Sequence, residues 1–499
     1  MNLNCPTPLA DSVTVINAID RGELDDFFFP ADSTTTIFSP DNLQAKSLPF
    51  TTTVVEYVHK GAPSYGGSVT FEVGSADIDL LLNTYVQVEL DHWLPDYIRR
   101  DLNAGIISYS TISGEPAWTY VNSLGTALIE SASFQIGELE VERIDGTYAH
   151  MWSLYGPDAN TQFGVGTDGL GVKPASALRE RRNPFIYPTL NGTIACVLPF
   201  SYGRARRSAA FPIAACAGSG AGSGAGAGRI VVRFRPFHEI VQCVTGPQAC
   251  VSTGPGAGTG PLGKTYVFNN INGSTLTYTT STQIPQPRSV SLIAYGALTH
   301  GKFRSALLRR PFEKMYREVY SYVFDEPLKY TVNKVGDQVS VQLPLELNNP
   351  CEEILWVIRR RAAVDAGEWT NYSAVPLWSA DPVYNPVGPA LVRASVYING
   401  QPIAENEPES YYRRCVSEAH KGGITSYNAY VYGYVFSRRP GERQPVGHVN
   451  MSRAVDVKLA LTVEMPADGL DQEWSVHVYA HCMNWMRFEN GIANRLYSS

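Results

Sequence analysis

Polar and apolar residues alternate with a period of two in segments spread along this chain. Ser68–Val73 (SVTFEV) alternates, as do Tyr85–Leu90, Ile230–Phe234, Gln338–Leu343 and Val455–Leu459. Successive side chains of a strand point to opposite faces, so each segment predicts a strand with one buried face. Strands dispersed over 499 residues and joined by Gly, Pro and Asn predict an all-β chain of sandwiches or jelly rolls. The length is about three times the ~150-residue prior for one domain, so two or three compact units are expected. One segment departs from the pattern. Pro311 to Tyr320 places Phe312, Met315, Tyr316 and Val319 at i+3/i+4 spacing behind a proline, which predicts a short helix between two β-rich halves.

Charge and composition remove several classes of function. Charged residues make up 17% and hydrophobic residues 44%, a balance that excludes a mainly disordered chain. Lys and Arg number 40 against 47 Asp and Glu, and a net charge of −7 excludes a polycation that coats nucleic acid. No apolar run reaches the ~18 residues that span a bilayer. Residues 1–20 lack the basic flank and apolar stretch of a secretory signal, so a soluble protein made without export is expected. The eight cysteines (Cys5, Cys196, Cys216, Cys243, Cys250, Cys351, Cys415, Cys482) are scattered singly, which predicts reduced thiols. Residues 216–228 and 246–263 are rich in Gly and offer little side-chain area to offset the entropy of ordering. They are expected to be surface loops.

The motifs that resemble chemistry fail on context. Gly258 to Thr265 matches the phosphate-loop pattern G-x-x-x-x-G-K-T, but a Gly/Pro loop precedes it and β-branched alternation follows. A working phosphate loop needs a strand before it and a helix after it. His477 and His481 stand beside Cys482 within an alternating segment. On a strand they share a face about 13 Å apart, too far for one zinc. No G-x-S-x-G elbow occurs. Glu405, Glu407 and Glu409 fall in an expected loop, and Arg204, Arg206, Arg207 and Arg359–Arg361 are expected at the surface or in subunit contacts. Asn191, Asn272, Asn371 and Asn450 head N-x-S/T triplets whose use the sequence leaves open. No catalytic, cofactor-binding or metal-ligating residue is assigned.

The last third of the chain carries a resemblance. Tyr430, Tyr432, Tyr434 and Phe436 run into Pro440, Glu442, Gln444, Pro445, Gly447, Asn450, Ser452 and Arg453. This resembles the signature strand and loop of the double jelly-roll major capsid proteins of nucleocytoplasmic large DNA viruses. Asn399–Gln401, the stretch Asn348 to Val357, and Val478–Ala480 with Asn484, Arg487 and Gly491 are similar to further motifs of that family. Ile136, Gly137, Ile144, Asp145 and Tyr148 resemble its first-half segment more loosely, with inserted residues. The likeness covers about residues 25–499, strongest after 340.

The resemblance implies an all-β fold of two consecutive eight-stranded jelly rolls. It also implies an N-terminal arm (1–25), a first jelly roll with Gly-rich insertions (26–303), a helical connector (304–321) and a second jelly roll (322–499). Function would be structural and non-enzymatic, without cofactor: pseudo-hexagonal homotrimers tiling an icosahedral virion capsid, assembled inside the infected host cell and not secreted. Partners would be neighbouring capsomers and minor and penton capsid proteins, with no direct nucleic acid and only indirect contact with an inner viral membrane. A minor or penton capsid protein and a carbohydrate-binding jelly roll are the alternatives. A packaging ATPase, which would make the phosphate-loop match real, would need an α/β chain.

Overall fold

The fold is described from a computed structural model, over residues 50–91, 93–109, 118–155, 193–204, 209–216, 228–243, 260–325, 338–376, 387–420, 430–442, 444–464 and 473–497. The arm at 1–25, most of both Gly-rich stretches, Asn191, Arg206 and Arg207 lie outside these residues.

Eight of the described strands form the sandwich of the first half: β1 (Phe50–Val58), β2 (Ser68–Val73), β3 (Leu80–Glu89), β4 (Ile129–Ile136), β5 (Leu139–Asp145), β6 (Thr193–Val197), β7 (Gly228–Phe234) and β8 (Ser289–Thr299). They pair as two antiparallel sheets, β1-β8-β3-β6 and β2-β7-β4-β5. Eight more build the second half: β9 (Phe312–Phe324), β10 (Gln338–Pro344), β11 (Pro350–Arg360), β12 (Leu391–Ile398), β13 (Gln401–Pro408), β14 (Val431–Val435), β15 (Val457–Glu464) and β16 (Trp474–Glu489). Their sheets are β9-β16-β11-β14 and β10-β15-β12-β13. Adding eight to each label of the first half gives the second, so the two halves are the same jelly roll twice. No repeat in the sequence discloses that duplication.

Local chemistry explains the register. Asn399 and Gly400 both have positive φ, 52° and 76°, the two-residue turn that suits tightly paired strands. They join β12 to β13 with Ile398 opposite Gln401. The Asn399 carboxamide oxygen also accepts from the Val455 and Asp456 amides, which fixes the turn against the chain entering β15. The corresponding β4–β5 turn pairs Ile136 with Leu139 around Gly137.

Three expectations need correction. The segment Pro311–Tyr320 is a strand, not a helix: β9 pairs with β16 without a register shift from Phe312 opposite Phe488 to Phe324 opposite Val476. Tyr316 and Glu318 are its buried positions. The acidic Glu318 at an inward site breaks the apolar alternation and leaves the accidental i+3/i+4 spacing visible. The helix between the two halves is α2 (Gly301–Arg309), which ends before Pro311, and β9 follows from Phe312. Glu405 and Glu407 lie on β13, and Glu409 opens a helix (Glu409–Ala419) rather than sitting in a loop. Arg204, Arg359 and Arg360 are buried, whereas Arg361 is exposed.

The phosphate-loop match lacks its helix. After the turn at 260–263, Lys264 leads directly into a strand, Thr265–Asn270, paired with Thr275–Thr279. Cys196, Cys216, Cys351, Cys415 and Cys482 are free thiols. Asn371 and Asn450 are buried, so neither offers an accessible side-chain amide, whereas Asn272 lies exposed between the paired strands 265–270 and 275–279.

Candidate functional site

Every residue of β11 is buried. A half-buried strand shields alternate residues only, so β11 must be covered on both faces. Ile354, Trp356 and Ile358 pack into the core of their own sandwich with Val476, Val478 and Ala480 of β16. Glu353, Leu355, Val357 and Arg359 face the other way, as do Tyr479 and His481 of β16, and the first jelly roll covers them. Leu355, Val357 and Tyr479 belong to the same apolar cluster as Phe134, Tyr148 and Met151. The hydrophobic core of the first half thus continues across the seam.

The covering element is helix α1 (Gly146–Tyr155), which follows β5 immediately. Asp145 ends the strand and caps the helix, its carboxylate accepting the Tyr148 amide at 2.7 Å. A Cβ on Gly146 would lie 2.4 Å from the carbonyl oxygens of Thr126 and Ile129, so only glycine lets the helix start there. From α1 the Thr147 hydroxyl accepts from the Arg359 guanidinium at 2.8 Å. The Tyr148 hydroxyl meets His481 Nε2 at 2.8 Å. His481 Nδ1 is 2.6 Å from one Glu353 oxygen, and His420 Nε2 is 2.8 Å from the other.

Burial would raise the Glu353 carboxyl, but the two imidazoles outweigh it and hold the group below the ordinary carboxylate range. Burial in turn pushes His481 below its usual value, against the pull of Glu353. A neutral His481 satisfies the geometry, donating from Nδ1 to Glu353 and accepting the Tyr148 proton at Nε2.

A second row of contacts lies beside the first. Arg204 pairs with buried Glu142 and donates to the Arg317 carbonyl across the seam at 2.6 Å. Burial pushes the Glu142 carboxyl up, and Arg204 opposes it. Arg317 in turn grips Glu352 at 2.6 and 3.1 Å. The Glu352 carbonyl accepts the Phe436 and Ser437 amides, which folds the start of the 436–453 loop onto β11. Trp369 donates to the Glu239 carbonyl at 2.7 Å beneath the Arg235 guanidinium, 3.8 Å from its ring centre. Arg495 donates to the Glu140 and Val141 carbonyls.

The seam gathers residues that the sequence had scattered. His477 and His481 do share a face of β16, opposite Val357 and Glu353, but that face is the seam. Among the described residues no group of three or more His, Cys, Asp or Glu side chains is placed to hold a metal ion. Glu142, Glu353 and Arg204 were missed as a group, since each partner lies tens to hundreds of residues away. One signal was legible: EILWVI, Glu353 to Ile358, is a continuous apolar run behind an acid, the pattern of a strand covered on both sides.

Two jelly rolls of one strand order, fused along a buried seam, define a double jelly-roll protein. Residues 315–494 match the family described as the large eukaryotic DNA virus major capsid protein. The fold is similar to VP54 of PBCV-1, at 14% identity and a TM-score of 0.60, over 93% of this chain and 100% of that one. It is also similar to the Faustovirus major capsid protein, at 13% identity and a TM-score of 0.58, over 96% and 98% of the two chains. No curated protein matches the sequence. The family match covers residues 315–494, and the fold of the described residues is a double jelly roll similar to that of these capsid proteins.

Proposed function

We propose that three copies form a threefold, pseudo-hexagonal trimer that tiles an icosahedral shell. The reading rests on one asymmetry between the equivalent halves. The β9-β16-β11-β14 sheet has its outer face covered by α1 of the same chain. Among the described residues no such helix covers the outer face of the equivalent β1-β8-β3-β6 sheet, where Val54 and Val58 are 58% and 77% exposed. Tyr85 and Tyr295, with ring centres 6.1 Å apart, lie on that same face. The equivalent of α1 is helix α3 (Glu409–Ala419), which follows β13 as α1 follows β5. Residues Gly146–Trp152 of α1 are buried throughout, whereas α3 exposes Ser410, Arg414 and Glu418. The chain therefore carries a bare socket at one end and an unused plug at the other. Contacts of that head-to-tail kind close into rings. By the resemblance the ring would hold six jelly rolls, which three chains would supply.

In this reading the arm at 1–25 precedes a first jelly roll at 26–303, α2 lies in the link, and the second jelly roll runs to 499. Neighbouring capsomers, minor and penton capsid proteins are the partners. Nucleic acid is not touched, an inner membrane is met only indirectly, and assembly takes place inside the host cell. Sedimentation equilibrium of the purified chain is expected to give about 164 kDa, three times the 54.7 kDa protomer. Val54→Arg with Val58→Arg, both on exposed positions, is expected to leave a folded monomer. A wild-type monomer at micromolar concentration, or a variant that still trimerises, would count against the socket.

A further inference from the structure

Four of the nine histidines, His150, His420, His477 and His481, lie at the seam between the jelly rolls. They come from both sides: His150 from α1, His477 and His481 from β16, and His420 just past α3. His150 and His481 are buried. His150 Nε2 and His477 Nδ1 are closed off from solvent and have no hydrogen-bond partner among the described residues. The remaining contacts of these two rings are soft ones. His150 Nδ1 meets the Ser123 hydroxyl at 3.4 Å and its ring packs on Tyr372 of the second jelly roll. His477 Nε2 meets the Ser475 hydroxyl at 3.2 Å.

The charges around them favour neutral rings. Arg359 of β11 acts on both His150 and His477, and Arg235, beyond β7, acts on His477. His481 faces Glu353 of β11, Tyr148 of α1, Arg204 and His420. Asp145, a further carboxylate of the seam, is occupied by Tyr479 and by the helix cap. A proton added to His150 or His477 thus places a cation beside an arginine, on ring nitrogens closed off from solvent. A second proton on His481 removes the acceptor for the Tyr148 hydroxyl.

We propose that the seam is a histidine latch opened by mild acid. Protonation of His150, His477 and His481 unseats α1 from the β9-β16-β11-β14 sheet, while the sheet behind it, β10-β15-β12-β13, stays folded. This does not depend on the trimer, because every group involved belongs to one chain.

The sign follows from linkage. Burial depresses His150 to about 3 and lowers His477 and His481, so the opened seam binds more protons than the closed one below the ordinary histidine value of ~6.5. Each such ring shifts the closed-to-open ratio about tenfold per pH unit in that window. Glu353, held low, adds to the loss only below ~4.5, the ordinary carboxylate range. Glu142, pushed up, works in the opposite sense as it takes up its proton. The interval from about pH 6.5 to 5 therefore belongs to the imidazoles.

Amide hydrogen exchange of the purified full-length protein at pH 7.5 and 5.5, corrected for intrinsic rates, tests the latch. Peptides covering 146–154 and 474–483 are expected to lose at least about tenfold more protection than those covering 391–398 and 457–464. Equal changes, or none, would overturn the proposal. His150→Gln with His477→Gln is expected to move the midpoint of opening about one pH unit lower, and an unmoved midpoint would also overturn it. Should that variant fail to fold, exchange at the imidazole Cε1 carbons of the wild-type protein decides the matter. His150 and His477 titrating near 6.5 while the seam stays protected would exclude a latch.

Discussion

Tyr479 donates its hydroxyl to the Asp145 carboxylate at 2.8 and 2.9 Å, across 334 residues of chain. The same carboxylate caps α1. One side chain therefore ends a strand of the first jelly roll, starts the helix that covers the second, and receives the second jelly roll's own tyrosine. Local helix formation and domain docking share a single acceptor.

Removing that hydroxyl isolates its contribution. Tyr479→Phe keeps the buried ring and leaves one lone pair of a carboxylate unserved. A hydrogen bond to a charged group contributes about 1.5–3 kcal/mol, and a loss in that range is expected in urea unfolding. An unchanged midpoint would mean that Asp145 finds a replacement donor.

Glu353 sets an acid limit separate from the histidines. Its folded carboxyl is held below the ordinary value, so its stabilisation is present above ~4.5 and is lost as pH falls through the folded value. Glu353→Gln leaves two imidazoles around a neutral amide and is expected to cost about 3 kcal/mol at pH 7. Its stability should also fall less steeply than that of the wild type below pH ~4.5. Parallel stability curves for the two proteins over that range would refute the assignment.

Lys264 tests the one nucleotide-like motif. It stands at the entrance to a strand, its amide donating to the Thr280 hydroxyl at 2.9 Å, and no helix N-terminus follows. Lys264→Ala is expected to change stability by no more than about 0.5 kcal/mol. Titration calorimetry with ATP should give no heat with either protein. Micromolar binding abolished by the substitution would restore the phosphate loop.

Legibility followed the physics of each segment. β2 and β10 were plain in the sequence because each buries one face and keeps the other polar. β9 was misjudged because Glu318 occupies an inward position. It is held there by Asn349, Asn484, Tyr316 and Tyr320, which no local pattern connects to it. Arg204 and Arg359 looked like surface charge for a related reason. Glu142, the acceptor of Arg204, lies 62 residues away on β5 of the same half, and Thr147, the acceptor of Arg359, lies on α1 across the seam. The signature in the last third was legible as a likeness, and the matched residues 315–494 include it. The seam was not, because a contact between two halves leaves no period within either.

The complete burial of β11 constrains more than packing. A strand with one wet face can exchange half its residues for any polar side chain at little cost. In β11 neither the odd nor the even positions have that freedom, since each is committed to a different neighbour. Substitutions there must satisfy two environments at once, and a change tolerated by one core is judged separately by the other. Strand β11 lies within residues 315–494, the stretch that matches the capsid family.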